Sequence, residues 1–98
     1  METNIVREGN KLTASVSGRL DTLSAPDFEK EMEPALEGVT ELVIDLKTLD
    51  YISSAGLRVL LGLAQAMEDK GSMVVTNPND AVMDVFSVTG FDDILTIE

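Results

Sequence analysis

Residues 41–76 constrain this chain most. The run ELVIDL at 41–46 is short and apolar, with the length and composition of a central, buried strand. A helical pattern follows over roughly 54–70 and stops at Gly71, and SMVVT at 72–76 reads as another strand. Strand, helix, strand in that order predicts two parallel strands joined by a right-handed crossover. The chain is therefore committed to an α/β layered fold.

The flanking segments extend this unit. Residues 3–8 and 11–17 border Gly9-Asn10, a pair that tolerates positive φ and predicts a hairpin. Leu12, Ala14 and Val16 alternate with Lys11, Thr13, Ser15 and Ser17, so this strand has one buried and one wet face, and Gly18 breaks the run. Ser24 is the expected N-cap of a first helix, with Leu23 and Phe28 at the spacing of a hydrophobic staple and Pro26 and Asp27 in the first turn. Pro34 predicts a kink or an early end of that helix. A third helix is expected over about 79–89, with Gly90 as a left-handed cap and Phe91 packing back on Phe86, then a last strand over 92–97. The expected fold is a single small α/β domain over residues 1–98, a mixed β-sheet of about five strands with about three helices.

Composition removes most catalytic chemistry. The 98 residues contain no cysteine and no histidine, which excludes disulfides, thiolate sites, cysteine nucleophiles and any triad built on imidazole. No cofactor or metal is implied. A net charge of −11, from 18 acidic and 7 basic residues, opposes binding to nucleic acid or an anionic membrane. The N-terminus METNIVREGN has no apolar signal core, and the stretch from Val59 to Met67 is too short to span a bilayer. A cytoplasmic location without membrane insertion is expected.

The informative segment is LDYISSAGLRVLL at 49–61, which is read as running from the end of the buried strand through a short loop into a helix. In open α/β sheets, sites gather where such loops leave the carboxyl ends of strands. Ser53 or Ser54 is the natural N-cap, and the small Ala55 and Gly56 are expected to leave first-turn N–H groups accessible. At about 100° per residue, Leu57, Val59, Leu60, Leu61, Leu63, Ala64, Ala66 and Met67 form a broad apolar arc. Arg58, Gly62, Gln65 and Asp69 occupy the other side, a polar stripe that starts beside Ser54. Such a stripe suits a contact surface better than a catalytic cleft. On these residues alone, a serine at a helix start is usually a cap.

The element order and the segment DYISSAGLRVLL resemble the STAS family, named for sulphate transporters and anti-sigma factor antagonists. The likeness covers nearly the whole chain and includes GRLD at 18–21, VIDL at 43–46, the serine-glycine helix start at 53–56 and TGFDDIL at 89–95. In free-standing bacterial members, a serine at this helix start is phosphorylated by an anti-sigma factor that is also a serine kinase. The unphosphorylated form binds that kinase and frees a sigma factor, and a PP2C-type phosphatase restores the serine. Alignment through Gly56 and Leu57 implies Ser54 as the phosphorylated position. Arg58, Gln65 and Asp69, which share the polar stripe with Ser54, are expected to bind the partner together with Ser53 and Gly56 of the helix start, and Asp21 matches a family acidic position near the switch and is expected to join them. The family often reads aspartate, serine, serine, glycine where this chain has Ser53-Ser54-Ala55-Gly56; Asp50 and Asp21 are the nearby acids that could replace the missing charge.

Two other functions compete. An enzyme using Ser53 or Ser54 as nucleophile would need Lys47 as its base, and no GxSxG elbow surrounds either serine. No P-loop or dinucleotide fingerprint is present. The chain is therefore expected not to be an enzyme. The second alternative keeps the fold but changes its role, making the chain a constitutive STAS subunit of a transporter, lipid-trafficking or signalling assembly.

Overall fold

A computed structural model describes all residues from Met1 to Glu98. The hairpin forms as expected: β1 (Glu2–Glu8) pairs antiparallel with β2 (Lys11–Leu20), and Gly9 takes φ +60° in the turn. β2 does not end at Gly18. Gly18 adopts φ +82° at a register shift, and the strand continues to Leu20.

That continuation splits the far edge of β2 between two partners. Its first half runs parallel to β3 (Glu41–Asp45), and residues 18–20 pair in parallel with β4 (Leu49–Ile52). β5 (Ser72–Thr76) pairs parallel to β3, so the main order is β1-β2-β3-β5, with β4 beside the carboxyl end of β2. The sheet thus has the expected five strands, but β4 replaces the strand expected at 92–97. That segment instead forms a short helix α4 (Phe91–Ile94) and a single bridge from Ile97 to Val75. Its two adjacent acids, Asp92 and Asp93, suit a helix turn after Gly90 better than a pleat.

The other helices are α1 (Ala25–Ala35), α2 (Ser54–Glu68) and α3 (Asp80–Thr89), giving four in all, one of them very short. α1 ends one residue past Pro34, the early stop that its ring predicts. Gly90 caps α3 in the left-handed region, at φ +80°. Two details at the start of α1 differ from expectation. Ser24 makes no side-chain cap bond, because its hydroxyl is engaged with Asp21 and Arg19, and Leu23 is exposed, so no staple to Phe28 forms.

The core unites Leu12, Ala14 and Val16 of β2 with Leu42 and Ile44 of β3, Phe28 and Met32 of α1, Leu60 and Leu63 of α2, and Phe86 of α3. No polar or charged residue is buried with them. The strands' alternate residues, such as Thr13, Ser15 and Asp45, lie half-buried on the opposite face. The polar groups therefore lie on this open sheet face, at the sheet ends and along the helix exteriors.

Candidate functional site

β2 and β4 finish side by side, and their exits bring the turn before α1 against the start of α2. The N–H of Ser53 donates to Leu20 O at 2.9 Å, which stitches the two exits together. Gly56 lies directly beneath. A Cβ there would stand 2.8 Å from Leu20 O, 2.8 Å from Ile52 Cγ1 and 2.9 Å from Leu20 Cγ. Gly56, expected as a partner contact, is instead buried, and its lack of a side chain lets helix and strand approach. Its N–H is not open either.

That N–H is taken by Ser53. Ser53 has extended backbone geometry, and its Oγ accepts from Gly56 N at 3.4 Å, so it is the N-cap of α2. Ser54 is the first helical residue, exposed, and its hydroxyl enters no intramolecular hydrogen bond. The choice between two adjacent serines is thereby resolved: one belongs to the fold and the other faces solvent.

Arg58, Gln65 and Asp69 are all exposed, and each falls within about 60° of Ser54 around the helix. At about 1.5 Å per residue this stripe is roughly 22 Å long, and Asp69 is the C-cap at its far end. Arg58 makes no ion pair. The apolar arc is narrower than its sequence suggests, since Leu61 is only half-buried and Ala66 is exposed.

Asp21 is integrated into the turn. Its Oδ1 accepts the N–H groups of Leu23 at 3.0 Å and Ser24 at 3.1 Å, and Arg19 Nε lies 3.7 Å from Oδ2. The Ser24 N–H is the main cause holding this carboxyl below its ordinary value of 3.8, with the Leu23 N–H, the Ser24 hydroxyl and Arg19 adding to it and partial desolvation opposing. Arg19 also lies over the Tyr51 ring, 4.3 Å from its centroid. Sequence reasoning did not single out Arg19, Tyr51 or Leu23 as surface features of this site. The Arg19–Tyr51 pairing depends on the β2–β4 register, which local patterning does not reveal.

A groove of about 280 Å³ runs between Thr22, Ala25, Pro26 and Glu29 on one side and Ala55, Arg58 and Val59 on the other. A depression of about 300 Å³ near the end of α2, lined by Met67, Met73 and Ile94, offers Glu68 as its titratable group and lies away from Ser54. No group of three or more acidic side chains is placed to hold a metal ion, and no helix is long and apolar enough to cross a membrane. The surface around Ser54 is open and shallow, with a free hydroxyl and a free guanidinium on α2 and the Arg19–Asp21 ion pair on the neighbouring turn.

Known proteins match this chain over nearly its whole length. The family model described as "Mlab, STAS domain" matches residues 3–96. The anti-sigma-B factor antagonist of Bacillus subtilis is 28% identical over 98 residues, covering 99% of this chain and 90% of that protein. The putative anti-sigma factor antagonist BtrV of Bordetella bronchiseptica is 35% identical over 88 residues, covering 88% of this chain and 76% of the relative. Among solved structures, an anti-sigma factor antagonist from Mycobacterium paratuberculosis superposes with a TM-score of 0.89 at 24% identity, covering 98% of this chain and 83% of that one. The anti-sigma factor antagonist SpoIIAA in its unphosphorylated form gives 0.86 at 19% identity, over 99% of this chain and 88% of that one. From the family match over nearly its whole length, the chain belongs to the STAS domain family, and the curated relatives it matches are named anti-sigma factor antagonists.

Proposed function

We propose that the chain is an anti-sigma factor antagonist switched by phosphorylation of Ser54. Unphosphorylated, it sequesters an anti-sigma serine kinase and frees a sigma factor; a PP2C-type phosphatase resets it. The observation that carries this reading is the division of labour at 53–54. Ser53 closes the cap, so Ser54 can be modified without removing a bond the fold uses. Kinase transfer would form a bond from Ser54 Oγ to the γ-phosphorus of ATP, release ADP and pass the hydroxyl proton to a base of the kinase. The structural neighbour SpoIIAA has been solved in both unphosphorylated and phosphorylated forms, so phosphorylation is compatible with this fold in that protein.

Two energies decide the outcome. A phosphate of about −1.5 to −2 charges at a helix start is favoured by roughly 0.3–1 kcal/mol through the dipole and the first-turn N–H groups. Against a bound partner it must be dehydrated and sterically accommodated, and each close like-charge contact costs about 4 kcal/mol at an effective dielectric near 20. Complex formation is hurt more than folding. In this reading Arg58, Gln65 and Asp69 extend the contact surface from Ser54 along α2, with Ser53 supporting it through the cap and Asp21 through the turn before α1. Mass spectrometry after incubation with a serine-kinase anti-sigma protein and ATP should add one phosphoryl group, mapped to Ser54 and absent from Ser54→Ala. Phosphate on Ser53 would reject the assignment. Full-strength assembly into a transporter or trafficking complex, unaffected by Ser54→Asp, would favour the constitutive subunit.

A further inference from the structure

The turn between β2 and α1 projects a leucine that the fold does not use. Leu23 is 87% exposed. A lone exposed leucine is ordinary; this one sits on an unusually well-tethered backbone. Asp21 Oδ1 holds the N–H of Leu23 and of Ser24, while Ser24 Oγ accepts from Asp21 N at 2.9 Å and donates to Arg19 O at 2.8 Å. The turn is fixed at both ends and the side chain points away from the core. Thr22, the chain neighbour of Leu23, lines the groove with Ala25 and Pro26, and its other wall includes Ala55, the chain neighbour of Ser54, with Arg58 and Val59.

We propose that Leu23 is the apolar anchor with which this chain grips its partner protein, and that Asp21 is a positioning residue that presents it. The inference rests on the switch reading above and names the partner's side of the contact. The occupant is the serine-kinase anti-sigma protein, presenting an apolar socket for Leu23 with basic side chains along the edge facing α1. The socket follows from the exposed leucine, which would lose little freedom on binding because its turn is already ordered. The basic edge follows from α1, which exposes Asp27, Glu29, Glu31 and Glu33 against a single Lys30 over the same stretch. A few fully desolvated side chains carry most of the energy at a protein interface, and Leu23 is the apolar side chain this turn offers for that role.

The test uses the full chain and a serine-kinase anti-sigma protein from the same genome, with binding followed by surface plasmon resonance and each variant's melting temperature measured in parallel. Leu23→Ala is expected to weaken binding tenfold or more, mainly through faster dissociation, with the melting temperature unchanged because the side chain touches no core. Leu23→Met should restore most of the loss. Asp21→Ala should weaken binding several-fold, and the double variant Asp21→Ala with Leu23→Ala should be no weaker than Leu23→Ala alone, the sign of action through one residue. Wild-type affinity in Leu23→Ala, with Ser54→Asp still impaired, would overturn the anchor and leave the switch standing. Additive losses would overturn the positioning role and make Asp21 a direct contact. If the wild-type chain forms no complex, the switch reading fails and the anchor fails with it.

Discussion

α2 and α3 begin in nearly the same way and are left in opposite states. Each follows a parallel strand's carboxyl end, and each has an extended N-cap whose side chain accepts the N–H three residues on: Ser53 from Gly56, Asn79 from Val82. At α3 the arrangement is closed. Asn79 accepts at 2.8 Å, also donates to Leu49 O at 3.0 Å, and the first helical residue is Asp80, a permanent negative charge at the positive end of the dipole. At α2 the cap bond is 3.4 Å, no acid occupies the first turn, and the first helical residue is Ser54. One helix start holds its anion permanently. The other carries a neutral hydroxyl in the same place.

If that openness is confined to the outer face of α2, its underside must be rigid, and this gives the largest expected effect. Gly56→Val would press a branched side chain into Leu20 and Ile52 from contacts already below 3 Å, and overpacking of this kind costs about 1–3 kcal/mol. Urea denaturation should place it near the upper end. Gly62, on the exposed side with nothing within 4 Å of a Cβ, is the control: Gly62→Ala should stabilise by about 0.5–1 kcal/mol. A Gly56→Val variant as stable as wild type would show that the start of α2 is loosely held.

The caps come next. Asn79→Ala removes a short cap bond and a tie to β4, and should cost about 2 kcal/mol, whereas Ser53→Ala removes one long bond and should cost about 0.5–1 kcal/mol. Ser54→Ala should lie within about 0.5 kcal/mol of wild type, because its hydroxyl bonds to nothing in the fold. Thermal melts of the three variants would measure the ranking directly. Equal losses for Ser53→Ala and Ser54→Ala would erase the distinction on which the switch depends.

The helix starts also show what could be read from residues alone. The crossover 41–76 was legible because its apolar runs, Gly71 stop and strand lengths are local signals, and Gly9 and Gly90 were legible because positive φ selects glycine. β4 was not, since LDYI is only four residues and becomes a strand by pairing with residues 18–20 far away in sequence. The terminal strand was misread because TGFDDIL has enough apolar residues for a pleat, while Gly90 and two acids favour a helical turn. At the site, alignment pointed to Ser54, but cap geometry was needed to separate it from Ser53. Gly56 was misassigned as a contact although the helix period already sets it about 200° from Ser54, on the side of Leu60, Leu63 and Met67, and the close approach of Leu20 agrees that it faces inward. Leu23 was expected to staple to Phe28 because spacing cannot foresee that Asp21 and Ser24 would turn the chain outward.

The smallest effect tests the comparison most directly, by exchanging the two first residues. Ser54→Asp places a carboxylate where α3 already has one, and Asp80→Ser removes it there. A charge at a helix start contributes about 0.3–1 kcal/mol, and an acid four residues before Arg58 adds about 0.2–0.5 kcal/mol. The chain's net charge of −11 opposes any further negative charge, so the gain for Ser54→Asp should sit near the lower end, about 0.3 kcal/mol. For a domain of this size that is a rise of about 1–2 °C in melting temperature. Asp80→Ser should fall by a similar amount, and both shifts should shrink in high salt, since they are surface electrostatics. Adding Arg58→Gln to Ser54→Asp should remove part of the gain, while Arg58→Gln alone should be nearly silent because Arg58 has no ion pair to lose. The same Ser54→Asp protein should bind the anti-sigma kinase about tenfold more weakly, a loss of about 1.4 kcal/mol. Opposite signs in one variant, a fold slightly more stable and a complex clearly weaker, would locate the switch in the contact and not in the folding of α2. A Ser54→Asp variant that melts several degrees lower would instead mean that the open start of α2 rejects negative charge, and that its likeness to the start of α3 ends at the cap.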